Sequence, residues 1–130
     1  MLNRVDPSAQ VPAVDPETWT VGGATFAVGA IARSIDDDDE CGDATVCWEQ
    51  GQKLYLGLAD GLGHGEFARV AALAALASVQ QHLPAPLPTV FTQCDQDIRD
   101  TRGVAMGIAV IDPVAQTATF CGVGNIRVLL

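Results

Sequence analysis

The run Lys53-Leu54-Tyr55-Leu56-Gly57-Leu58-Ala59-Asp60 followed by Gly61-Leu62-Gly63-His64-Gly65 constrains this chain more than any other segment. It begins as a β-favouring apolar stretch, ends on an acid, and then meets glycine at every second position. Glycine permits positive φ and close backbone approach, so the strand stops here and the chain turns. A helix is expected from about Glu66, whose charge suits the positive end of a helix dipole. Phe67, Val70, Ala71 and Ala74, with Leu73, Leu76 and Ala77, predict a broad apolar face reaching about His82. Its many alanines predict close packing against another layer. Upstream, the apolar runs 44–48 and 53–59 flank Gln50-Gly51-Gln52, which predicts a β-hairpin.

Elsewhere the signals are coarser. Residues 1–18 carry Pro7, Pro12 and Pro16 without apolar periodicity and read as a flexible lead-in to a domain over 19–130. Residues 25–35 read as a strand. The five acids Asp36-Asp37-Asp38-Asp39-Glu40 repel one another and predict a solvated loop; the alternating spacing of a calcium loop is absent. Pro84, Pro86 and Pro88 break the first helix, and Val90, Phe91, Cys94 and Ile98 recur at helical spacing over 89–99. Residues 104–111 suit a strand covered on both faces. Asp112-Pro113-Val114-Ala115-Gln116 reads as a hairpin loop, 117–123 as the return strand, and 126–130 as a further strand. Trp19 and Trp48 read as partial core. Strands, then helices, then strands describe an α+β layered domain.

Composition narrows the function. The chain has 130 residues, one domain's worth, and 48% of them are apolar. Seven basic residues against 16 acidic ones leave a net charge of −9, which disfavours nucleic acid and anionic membrane surfaces as partners. No apolar run approaches the roughly 20 residues of a membrane span, and no secretory h-region is present. Cys41, Cys47, Cys94 and Cys121 form no CxxC pair, and there are only two histidines. Reduced, buried thiols in a cytoplasmic protein are expected rather than a zinc site.

The chemistry-bearing feature is a pair of acids. Asp43 opens the first hairpin strand and Asp60 closes the second, so antiparallel pairing brings them together. Such carboxylates repel unless something positive sits between them. Oxygen ligands favour Mg²⁺ or Mn²⁺, and the Gly61 carbonyl offers a further ligand. The alternative is that Asp60-Gly61 is simply a turn after a strand. His64 is placed to protonate a leaving group, or is an exposed loop histidine. Arg33, ten residues before Asp43 on the preceding strand, is a candidate phosphate contact or a sheet-surface residue. Cys41 and Cys47 have no activating His or Lys nearby.

The segment Gly57-Leu58-Ala59-Asp60-Gly61-Leu62-Gly63-His64-Gly65-Glu66-Phe67-Ala68 resembles the DG motif of the PPM (type 2C) metal-dependent serine/threonine protein phosphatases, in particular the bacterial SpoIIE/RsbU/RsbX branch. Cys41-Gly42-Asp43 resembles that branch's upstream GD motif. Arg102-Gly103-Val104-Ala105-Met106 and Phe120-Cys121-Gly122-Val123-Gly124-Asn125-Ile126-Arg127 resemble its later sheet strands. Order and spacing are closest to RsbX-type phosphatases over about 22–130. The resemblance implies an αββα sandwich with a two-metal site, Mn²⁺ or Mg²⁺, at one end. By this resemblance Asp60 bridges both ions, Gly61 gives a backbone oxygen to one, and Asp43 holds that ion directly or through water. A water acidified by the metals would then attack a phosphoserine or phosphothreonine phosphorus in line.

The family's two further metal aspartates would fall after Leu130, so the sequence reads as a C-terminally shortened member. The expected function is a cytoplasmic protein phosphatase of partner-switching signalling. Its expected partner is a phosphorylated anti-sigma antagonist or stressosome-type scaffold. The rival from another class is a catalytically impaired phosphatase-like module that binds such a partner. A third reading is a plain α+β domain in which the DG pair is only a turn.

Overall fold

The chain first reverses at Gly22-Gly23, joining β1 (Glu17–Val21) to β2 (Ala24–Val28) as an antiparallel pair. In this computed structural model residues 15–33 and 41–129 are described. Most of the expected N-terminal lead-in and the whole acidic run 36–40 lie outside the described residues. The strand expected over 25–35 stops at Val28, because Gly29 and Ala30 interrupt the β-favouring alternation; 29–33 is irregular and exposed. Its partner β1 was not anticipated.

The hairpin expected next is present as β3 (Asp43–Gln50) and β4 (Lys53–Gly61). Gly51 and Gln52 both take left-handed φ, 57° and 61°, the backbone of a two-residue turn whose twist matches the strands it joins. Helix α1 (Gly65–His82) and helix α2 (Leu87–Asp97) follow, then β5 (Val104–Asp112) and β6 (Thr117–Val123). The main sheet is antiparallel in the order β3-β4-β5-β6. Asp112 opens the last turn by accepting a hydrogen bond from the Ala115 amide at 2.9 Å. The strand expected over 126–130 does not form: 126–129 is irregular, for Gly124-Asn125 leads the chain off the ladder after Val123.

Pleating assigns the faces. Ala44, Tyr55, Ala59, Met106 and Ile108 share the face that packs on the helices, and the stacked Trp48–Tyr55 rings (centroids 5.1 Å apart) belong to it. Helix α1 lies against β4 through Ala68, Ala71, Ala72 and Ala75, all fully buried. The close packing expected of the alanines is therefore observed, and of the expected apolar face Ala71 and Leu76 are buried with Ala74 packed beside them, but its other members are exposed. Phe67, Val70 and Leu73 are 65%, 51% and 47% exposed. Small side chains let the first turns of the helix approach the sheet while Phe67, Val70 and Leu73 turn outward; Leu76 and Val79 further along are buried. Strand β5 is buried on both faces at its start, with Ala105 on one side and Met106 and Ile108 on the other. Val21 and Leu54 are buried as well, and the β1–β2 turn abuts Pro113 and Val114. The fold is α+β with two antiparallel sheets and two helices.

One polar lock ties the helices together. Ser78 donates to Asp97 Oδ2 at 2.8 Å, and His82 Nε2 lies 2.8 Å from the same oxygen. Those bonds, His82 first, hold the Asp97 carboxyl below its usual range. Its contribution to stability is therefore present above the unfolded pKa of about 3.9 and is lost as pH falls through the folded value. Asp97→Asn should lower the melting temperature at neutral pH, with the gap from wild type narrowing toward pH 3 in thermal melts. All four cysteines are free thiols. Only Cys94 is fully buried, so the expectation of buried thiols holds for one of four; burial pushes the Cys94 and Cys47 thiols up, away from reactivity.

Candidate functional site

The two-residue turn fixes the hairpin register, and with it the site. Gln50 pairs with Lys53, and at the far end Asp43 stands directly opposite Asp60. Neither aspartate is on the helix side of the sheet. The two carboxyl groups meet: the Asp43 carboxyl is pushed up first by burial, then by a hydrogen bond with Asp60 and by the Asp60 charge. Two acids share one place and neither is neutralised by a basic side chain in an ion pair among the described residues.

Backbone closes around them. The Gly61 amide donates to the Gly42 carbonyl at 2.9 Å, joining the Gly42-Asp43 and Asp60-Gly61 segments. Leu62 N–H donates to the Gly103 carbonyl at 2.9 Å, continuing the β4–β5 ladder past its last pair. The first turns of α1 press on both glycines. A Cβ on Gly61 would sit 1.8 Å from the Ala68 carbonyl oxygen, and one on Gly42 would sit 2.9 Å from the Ala68 methyl. Gly63 and Gly65 take φ of 86° and 74°, which swings the chain from the strand into the helix. The donors available here are two carboxylates and backbone carbonyls, all hard oxygens. That set fits Mg²⁺ or Mn²⁺ better than zinc or copper.

The remaining candidates separate. His64 is the N-cap residue of α1, exposed, with no side-chain capping bond. It adjoins the glycine turn three residues after Gly61. Arg33 is not on a strand as expected; it lies five residues past β2, exposed, and forms no ion pair with Asp43 or Asp60. Among the described residues no group of three or more His, Cys, Asp and Glu side chains comes together. Arg102, in the sequence part of a strand block, lies beside the glycine turn. A Cβ on Gly63 would sit 2.6 Å from Arg102 Nη1, and the guanidinium stacks 5.1 Å over the Phe67 ring. Its signal was positional, since it directly precedes the strand that pairs with the Asp60 strand.

No protein-family profile matches the chain. It is 29% identical over 90 residues to the phosphoserine phosphatase RsbX of Bacillus subtilis (strain 168), an alignment covering 69% of this chain and 45% of RsbX. Two solved structures share its fold. One is a crystal structure of RsbX in complex with magnesium, with a TM-score of 0.68 and 26% identity over 75% of this chain and 49% of that one. The other is described as "The bacterial stressosome: a modular system that has been adapted to control secondary messenger signaling". Its TM-score is 0.71, with 29% identity over 73% of this chain and 50% of that one. The chain thus spans about half the length of the relatives it matches. Sequence and fold both resemble RsbX, the branch to which the GD and DG blocks point. Among the described residues no helix is long and apolar enough to cross a membrane.

Proposed function

We propose that the chain is a metal-dependent phosphoserine/phosphothreonine phosphatase domain of RsbX type, acting in the cytoplasm on a phosphorylated regulatory protein of a partner-switching pathway. An anti-sigma antagonist or a stressosome-type scaffold fits that description. The observation that carries the reading is the register pairing Asp43 with Asp60 beside Gly61, where a Cβ would collide with the α1 backbone. Likeness to a phosphoserine phosphatase and to its magnesium complex supports it.

In this reading the Asp43 and Asp60 carboxylates and the Gly61 carbonyl would hold the divalent ion. Such an ion, when bound, acidifies water and offsets negative charge on the phosphoryl oxygens. The hairpin keeps the two carboxylates opposed, so little reorganisation is needed to receive it. The bare Gly61 lets the α1 backbone close against this end of the strand. His64, held at the helix start next to the turn, holds a proton for the departing serine oxygen. Arg33, in its exposed stretch, has weaker claim to the phosphate.

A second reading, a phosphatase-like module that binds a partner without turnover, is favoured by one observation. Only two acidic side chains converge among the described residues. Hydrolysis of p-nitrophenyl phosphate with Mn²⁺ separates the two. Metal-dependent turnover lost on Asp60→Asn supports the enzyme; partner binding that needs no metal, with no turnover, supports the module.

A further inference from the structure

The helices leave one end of the main sheet uncovered. Helix α1 packs on β3, β4 and β5, and α2 packs on α1. Val123 of β6, opposite Met106 on the helix side, is 51% exposed as a result. A groove of about 650 Å³ runs there between α2 and strands β5 and β6. Its floor is apolar, formed by Phe91, Ile98, Met106 and Val123. Its rim carries Arg99 and Arg102, two of only seven basic residues in a chain of net charge −9.

Both guanidiniums are available. Among the described residues no carboxylate lies within ion-pair distance of either. Asp95, one helical turn before Arg99, lines the same groove without pairing with them. Arg102 is held in place by Phe67 and lies across Gly63. The groove lies at the same end of the sheet as the candidate site, on the opposite face from Asp43 and Asp60. Leu62 is part of its wall and is tied to Gly103, two residues beyond the Asp60 position of the same strand. A substrate chain whose phosphoserine meets Asp43 and Asp60 would reach the groove by rounding the end of β4 past Leu62.

Building on the phosphatase reading, we propose that this groove seats the stretch of the phosphoprotein next to its phosphorylated residue. An apolar substrate side chain occupies the floor, and a neighbouring Asp or Glu is held by Arg99 and Arg102. Complementarity carries the choice of occupant: the rest of this acidic chain repels such a segment, and here two cations line a groove with an apolar floor. The groove is thus a specificity device, separate from the carboxylates that hold the ion.

Three labelled phosphoserine peptides test it, identical except for one flanking position next to a leucine: Glu, Gln or Lys. Binding is read by fluorescence polarisation with EDTA present, and Mn²⁺-dependent turnover of p-nitrophenyl phosphate is read in parallel. Wild type should bind the Glu peptide about tenfold more tightly than the Gln peptide. Arg99→Glu should remove that preference and favour the Lys peptide, with turnover of the small substrate unchanged. Arg102→Gln should weaken only the Glu peptide, and Val123→Asp should weaken all three. Wild type that treats the peptides alike, or an Arg99→Glu variant that still prefers Glu, overturns the proposal. The phosphatase reading fails separately: absent turnover with charge-selective binding retained defeats the enzyme and leaves the groove standing.

Discussion

Replacing Gly61 by alanine should destabilise the chain by about 3 kcal/mol or more, the upper end of what overpacking costs. The new methyl would lie 1.8 Å from the Ala68 carbonyl oxygen and 2.5 Å from its carbonyl carbon. Those atoms are helix backbone and cannot rotate away. Relief requires lifting α1 off the sheet, and with it the buried contacts of Ala71, Ala72 and Ala75. Gly42→Ala should cost less, about 1–3 kcal/mol, because it meets the Ala68 methyl at 2.9 Å rather than main chain. Gly65→Ala meets nothing within 4 Å and carries only the left-handed φ of 74°, a cost of about 1–2 kcal/mol. Urea denaturation followed by circular dichroism should rank the three in that order. Equal losses at all three positions would mean that close helix approach is not what glycine provides here.

The second large effect has opposite signs in two measurements. Asp60→Asn should reduce Mn²⁺-dependent phosphatase activity by more than about a hundredfold, beyond the usual loss from an outer-shell partner of a metal ligand. In EDTA the same variant should be more stable than wild type by about 0.2–1 kcal/mol, the range for relieving like charges directly opposed across two strands. A position that costs the empty fold and serves only when an ion is present should behave this way. Loss of activity together with loss of metal-free stability would point instead to a structural aspartate.

The contrast between what could and could not be read from the sequence is physical. Asp43 and Asp60 were legible because a two-residue turn counts both strands outward from Gln50 and Lys53, leaving no freedom in the pairing. The period change at Gly61-Leu62-Gly63 located the start of α1 within a residue. The face of α1 was legible only in part, at Ala71, Ala74 and Leu76. Apolar periodicity marks every hydrophobic side chain alike, and packing distance decided that the alanines and not Phe67 or Leu73 would meet the sheet. Residues 126–129 carry strand-like composition but no ladder partner, and 29–33 follow a strand whose pattern Gly29-Ala30 breaks, so propensity alone misassigned both. Arg33 was displaced with its supposed strand. Arg102 escaped notice because its importance depends on which backbone it crosses, and that is a property of the β4–β5 pairing.

The central claim is that the Asp43–Asp60 pair is held together in order to take up a divalent ion. Calorimetric titration of the metal-free chain with Mn²⁺ tests it most directly. Saturable uptake by wild type that disappears in both Asp43→Asn and Asp60→Asn, with folded circular dichroism spectra throughout, is the predicted result. No uptake by wild type, or uptake that survives both substitutions, would contradict it.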